Sequence, residues 1–334
     1  MSDPKPDNMD KLFTVSPSPH IYSGDSTRSI MYRVVIALLP ALLWSVFIFG
    51  PDTVRVTAIA VAACLGVEFV IQKFLMKQKP SISDGSALVT GILLAFNVPA
   101  GLPWWIIVIG AVTAIGIGKM SFGGLGCNVF NPALVGRIFL LISFPVQMNT
   151  WPSVAKEGVD TISSATPLSL IKVGLIKGTP VSEMLESMPP VSDLLLGYSG
   201  GSLGEMSALL LILGGIYLLL RKVITWHIPV SVILTVVVIS GIFWLTDPAE
   251  YINPVYHVLT GGLMLGAIFM ATDMVSSPMT PKGQIIYGGG IGIITIFIRL
   301  FGSYPEGISF AILIMNAVTP ILNIYCKPKR FGGK

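Results

Sequence analysis

The chain has 334 residues, 53% of them hydrophobic and 11% charged, with a mean hydropathy of +0.79. Soluble domains carry about 25% charged residues, so a water-soluble globule is excluded. The net charge of +4 is spread between apolar runs, which points to basic caps on membrane segments and excludes a nucleic-acid-binding surface.

Residues 1–30 are polar and rich in Pro and Ser, without the apolar core of a cleavable signal peptide, and read as a cytoplasmic tail. Ten apolar runs follow, at 33–50, 53–75, 84–99, 103–119, 131–148, 206–221, 228–246, 256–272, 285–302 and 307–326. A membrane helix needs about 20 mostly apolar residues, so the fold class is an all-α integral membrane protein of about ten transmembrane helices. The organisation is a first five-helix repeat over 31–148, a loop over 149–205, a second five-helix repeat over 206–326, and a basic tail over 327–334. The run at 84–99 ends in Asn97-Val98-Pro99, that at 131–148 opens with Asn131-Pro132, and that at 256–272 contains Gly261-Gly262. Short or interrupted spans of this kind line cavities rather than lipid.

With the N-terminus inside, 16 of the 21 basic residues fall on the cytoplasmic side, as positive-inside orientation demands. Arg55, Lys156, Lys172, Lys177 and Arg299 fall outside, together with the loop 149–205. Five spans per half is an odd number, so the halves are expected to run in opposite senses. Two internal echoes point the same way: Val89-Thr90-Gly91 against Leu259-Thr260-Gly261, and Asn131-Pro132 against Asn316 through Pro320.

Few residues can carry chemistry. Cys64, Cys127 and Cys326 have neither disulfide nor metal-ligand spacing and read as buried, inert thiols. In the loop, Asp160-Thr161-Ile162-Ser163-Ser164-Ala165-Thr166-Pro167-Leu168 is a run of small residues. Pro167 biases Thr166 toward extended backbone, presenting its hydroxyl to a modifying enzyme. The Gly123–Ala133 stretch is re-entrant in character, with Asn131 as N-cap and Pro132 in the first helical turn. A half-helix N-terminus there would offer N–H groups and a positive dipole end. Glu68, Asp84, Arg137, Asp273 and Arg299 are the ionisable residues in or beside spans. Such groups mark ion or proton paths when they face the bundle interior, and four of them lie where snorkelling to the cytoplasmic interface also accounts for them. His227 and His257 sit at span ends.

The chain resembles the RnfD/NqrB family of membrane flavoprotein subunits, and within it the Rnf branch. The resemblance is carried by Ser16-Pro17-Ser18-Pro19-His20, by Ser86 through Leu94, by Gly123 through Ala133, and by Ser164-Ala165-Thr166-Pro167-Leu168. It implies FMN joined through a phosphoester to Thr166, with Ser164 standing where the commoner pattern has Gly. It makes Asn128 and Asn131 candidate contacts of a non-covalent riboflavin. It further implies a prokaryotic cell-membrane subunit, not catalytic alone, of a ferredoxin:NAD+ oxidoreductase coupled to Na+ or H+ movement, with the complex's other subunits and a flavin transferase as partners. The alternatives are the B subunit of the Na+-pumping NADH:quinone oxidoreductase, a urea- or ammonium-type channel, and a passive scaffold. The short N-terminal tail favours the Rnf branch.

Overall fold

The computed structural model describes residues 26–327 apart from 79, 152–165, 178–180, 182–183, 185–187, 199 and 206, and apart from the side chains of 175 and 176. The Ser16–His20 motif, Ser163 through Ala165 and the basic tail beyond Lys327 lie outside the described residues.

Helices account for all the regular structure among the described residues. The first half comprises α1 (Thr27–Phe49), α2 (Pro51–Val70), α3 (Ser86–Phe96), α4 (Trp104–Val112) and α5 (Pro132–Ser143). α2 and α4 each continue into a π-helical turn, at Ile71–Leu75 and Thr113–Ile117. A short α6 (Pro145–Met148), then α7 (Pro167–Lys177) and α8 (Val191–Leu196), lie between the halves. The second half comprises α9 (Ala208–Leu220), α10 (His227–Thr246), α11 (Pro254–Leu259), α12 (Leu263–Leu265, extended by a π turn over Gly266–Met270), α13 (Pro281–Phe301) and α14 (Ile308–Tyr325). All ten apolar runs are helical. Six reach 18 residues or more, α3, α5 and α9 are shorter, and the eighth is broken into α11 and α12.

α1 begins inside the segment read as tail. Ser26 is its N-cap and accepts a hydrogen bond from the Ser29 amide, so the polar Thr27-Arg28-Ser29 forms the first turn. Gly50 (φ +70°) ends α1 and Pro51 opens α2 at once. The eighth run breaks because Gly261 and Gly262 both take left-handed backbone (φ +70° and +64°).

The two halves pack alike. α2 lies against α3 and α4 as α10 lies against α11 and α13; α4 packs on α5 as α13 packs on α14. Across the halves α1 meets α9 and α5 meets α14, each helix touching its own counterpart. The sequence echoes do not correspond in structure. Val89–Gly91 lies within continuous α3 while Leu259–Gly261 is the break, and Asn131 caps α5 while Asn316 lies within α14. The duplication resides in helix packing, which a Gly-rich apolar sequence records poorly.

The segment between the halves folds back on the bundle. Gly204 N–H donates to the Phe96 carbonyl at 2.8 Å, closing the C-terminal end of α3, and the Trp44 indole donates to the Leu196 carbonyl. Leu168 and Ile171 of α7 are buried with Val181, Met184, Met188 and Ile252 in an apolar cluster of their own.

Candidate functional site

Two cavities hold the residues singled out above. The first, about 490 Å³, is lined by Arg137 of α5, Trp151, Thr166, Lys172 of α7, Glu306 and Ser309, among others. That volume lies within the 300–1,000 Å³ typical of small-molecule sites. The second, about 90 Å³, is lined by Ser86, Thr90, Lys119, Asn128, Asn131 and Asp273, with apolar neighbours. Thr166 and the asparagine pair thus belong to different cavities.

Thr166 is not presented to solvent as expected; it is 4% exposed. It caps α7: Oγ accepts from the Ser169 amide at 3.2 Å, and its carbonyl accepts from the Leu170 amide. Its burial follows from partners remote in sequence, because Trp151, Tyr304 and Phe310 share the wall of its cavity. Lys172, on the same helix, donates to the carbonyls of Arg299 (2.9 Å) and Leu300 (3.4 Å), closing the C-terminal end of α13. Partial burial holds its pKa below the usual lysine range.

Arg137 does not snorkel to an interface. It is 4% exposed, donates to Asn97 Oδ1 (2.9 Å) and Ser309 Oγ (2.6 Å), and forms an ion pair with Glu306. Arg299 is equally buried, and its guanidinium donates to the carbonyls of His257, Thr260 (2.9 Å) and Gly261 (3.4 Å), the last turn of α11 and the start of the break. A Cβ on Gly261 would stand 2.7 Å from Arg299 Nη2, and one on Gly262 3.4 Å from Glu205 Oε1, so the break is also a close approach. His257 is buried beside it and not at an interface, its Nδ1 without a hydrogen-bond partner among the described residues.

In the smaller cavity Asn131 meets its expectation as N-cap, accepting from the amides of Ala133 (3.0 Å) and Leu134 (3.4 Å). Its amide also donates to the Met270 carbonyl at 3.1 Å, tying α5 to the π turn after α12. Asn128 donates to the Phe130 carbonyl, and Asp273 on the same cavity wall accepts from Ser276. The glycines here are structural necessities: Gly123, Gly124 and Gly126 all have positive φ.

One charged cluster escaped the sequence reading. Lys119, counted above as a cytoplasmic cap, is 2% exposed, and its Nζ sits 2.7 and 2.9 Å from the carboxylate oxygens of fully buried Glu68. Ser86 Oγ accepts from Lys119, and Gln72 joins Glu68 to Ser81. Asp84 holds the amide and hydroxyl of Ser86 at the head of α3. Glu68 lies just before one π turn and Lys119 just after the other. The available signal was one acid and one base, each isolated in apolar sequence.

Of the thiols, Cys64 is buried as expected, Cys326 is half-buried, and Cys127 is exposed because it sits in the Gly123–Asn128 turn. Among the described residues no group of His, Cys, Asp and Glu has metal-binding geometry.

The chain matches the model of the NQR2, RnfD, RnfE family over residues 14–332. It is 47% identical over 321 residues to the D subunit of the Na(+)-translocating ferredoxin:NAD(+) oxidoreductase complex of Acetobacterium woodii, covering 96% of this chain and 95% of that one. It is 44% identical over 328 residues to the D subunit of the proton-translocating ferredoxin:NAD(+) oxidoreductase complex of Clostridium ljungdahlii, covering 97% of each. The D subunit of the ion-translocating oxidoreductase complex of Stutzerimonas stutzeri is 38% identical over 327 residues, covering 92% of each.

Proposed function

Because the chain belongs to the NQR2, RnfD, RnfE family, we propose that it is the membrane-embedded D subunit of an ion-translocating ferredoxin:NAD+ oxidoreductase complex and carries FMN esterified to Thr166. The carrying observation is the large cavity: a threonine hydroxyl in its wall, with Arg137 and Lys172 on the same wall. The ion moved by the complex is H+ or Na+, the two that its relatives' names carry.

The residues suit a tethered flavin phosphate. Thr166 is the N-cap of an 11-residue helix, so a phosphate on its oxygen lies at the positive end of α7. Esterification leaves the oxygen's lone pairs, and the hydrogen bond from Ser169 survives it. Arg137 and Lys172 supply charge to hold an anion, and Trp151, Tyr304 and Phe310 supply flat apolar wall. Bound there, FMN would supply the one- and two-electron chemistry that the chain's own side chains lack. Thr166 anchors, Arg137 and Lys172 orient and neutralise, and the buried wall excludes water.

Asn128 and Asn131 are proposed as contacts of a second, non-covalent riboflavin at the smaller cavity. The charge distribution of the sequence supports cytoplasmic termini and an extracytoplasmic 149–205 segment. A solute channel is disfavoured by what fills the ground between the cavities: Arg137 meets Asn97, Asn97 meets Met270 Sδ, and the Met270 carbonyl meets Asn131.

The test is direct. Chain co-expressed with a flavin transferase should fluoresce on a denaturing gel, and the tryptic peptide 157–172 should carry added FMN mass. An unmodified peptide in colourless native material refutes the assignment.

A further inference from the structure

Among the described residues the charged groups lining the larger cavity are Arg137, Lys172 and Glu306, which sum to one net positive charge. Each is held in place. Arg137 is fixed by Asn97, Ser309 and Glu306, and Lys172 by the two carbonyls that end α13. Deeper in, Glu205 and Arg299 flank the Gly261–Gly262 break, and Glu205 acts electrostatically on both Arg137 and Arg299. Among the described residues Lys172 forms no ion pair. The phosphoester at Thr166 would balance that one charge in sum, so the three groups act by position, in a region of low polarity where a charge acts more strongly than it does in water.

A structural ion pair needs no third charge. Two cations and one anion fixed around a space walled by aromatic rings act on a ligand whose charge changes there. We infer that Arg137, Lys172 and Glu306 set the reduction potential of the flavin at Thr166, an inference that rests on the attachment site proposed above. When a reductant passes one electron to the ring, no bond of the protein is made or broken and the ring gains one negative charge. Arg137 and Lys172 stabilise that charge and Glu306 opposes it. All three act through space and are positioning residues for the electron carrier.

The signs make the inference testable. Full-length chain bearing its covalent flavin is titrated with dithionite in the presence of mediators while flavin absorbance is followed. Arg137→Gln and Lys172→Gln should lower the potential and Glu306→Gln should raise it. Each is expected to shift the reduction equilibrium at least tenfold, or 59 mV for a one-electron step. Loosened packing would not reverse sign between a lost cation and a lost anion. Should Arg137→Gln fail to accumulate, Lys172→Gln against Glu306→Gln carries the comparison, because both side chains lie at the edge of the bundle interior. Unchanged potentials, or shifts all of one sign, in variants with an intact flavin band overturn the inference and leave Thr166 standing. A wild-type chain with no flavin band overturns the attachment site itself, before any titration.

Discussion

Arg137, halfway along α5, and Glu306, in the turn before α14, form an ion pair whose side chains are 5% and 16% exposed. The pair joins a helix of the first half to its counterpart in the second, and Ser309 of α14 shares the guanidinium. Breaking a buried pair from one side strands a charge, at a cost of about 3–5 kcal/mol. Arg137→Gln should accordingly lower the melting temperature of the detergent-solubilised chain. Combining it with Glu306→Gln should recover part of the loss, because neither charge is then left alone. Additive losses in the double variant would show that the two side chains do not interact.

Glu68 and Lys119 should behave in the same way and more severely, since neither side chain is more than 2% exposed. Glu68→Gln leaves the ammonium with Ser86 and an amide; Lys119→Met leaves a carboxylate held by Gln72 alone. The carboxylate has fewer remaining donors, so Lys119→Met is expected to be the worse single variant, with Glu68→Gln/Lys119→Met nearer wild type than either. Thermal scans of the three variants decide the ranking.

Thr166 has two separable roles. Thr166→Val removes both the acceptor oxygen and the cap of α7, a cap loss worth about 0.5–2 kcal/mol, and should abolish the fluorescent band. Thr166→Ser keeps the oxygen and the cap and should retain stability near that of wild type. Mass spectrometry of the 157–172 peptide reads the modification and the melting temperature reads the cap.

Asn131→Ala removes the cap of α5 and the link to Met270 together, whereas Asn131→Ser keeps a capping oxygen and loses only the link to Met270. The serine variant should therefore be the more stable of the two. If riboflavin occupies this cavity, acid denaturation of wild type releases free flavin in addition to the covalent fraction, and Asn128→Ala reduces the released amount only.

Lys172 gives the wall charge a pH dependence. Its pKa is lowered because burial disfavours the charged form, so in the folded chain it deprotonates at a lower pH than it does in the unfolded one. The potential gap between wild type and Lys172→Gln should be fully present below that lowered pKa, where the ammonium is charged. It should shrink as pH rises through the lowered pKa, before the usual lysine range is reached. Arg137 and Glu306, the other charges on the wall among the described residues, are common to both proteins, and their contribution cancels in the gap. A gap that persists well above that range would show that Lys172 acts by packing and not by charge.

The spans were legible in sequence because a membrane helix must be apolar along its whole length. The caps were legible where a single residue type forces them, as with Asn131-Pro132 and Gly261-Gly262. Burial of charge was not. A hydropathy reading treats every lysine or arginine as a cap on a span, and nothing near Lys119 or Arg137 in sequence announces Glu68 or Glu306 as a partner. Thr166 failed for a related reason: its local run of small residues predicts openness, while the aromatic rings that enclose it come from Trp151 and the Tyr304–Phe310 region. The start of α1 was misplaced by a polar first turn, which Ser26 stabilises and hydropathy discounts.

The guanidinium of Arg299 serves three carbonyls at the broken end of α11, a place where lipid could serve none. It thereby rivets α11 to α13, and Lys172 fastens the same C-terminal end of α13 to α7 in turn. Three helices become one stiff block. Any flexing of the broken segment is left to the two-glycine joint between that block and α12, which with its π turn packs on α9, α10 and α14.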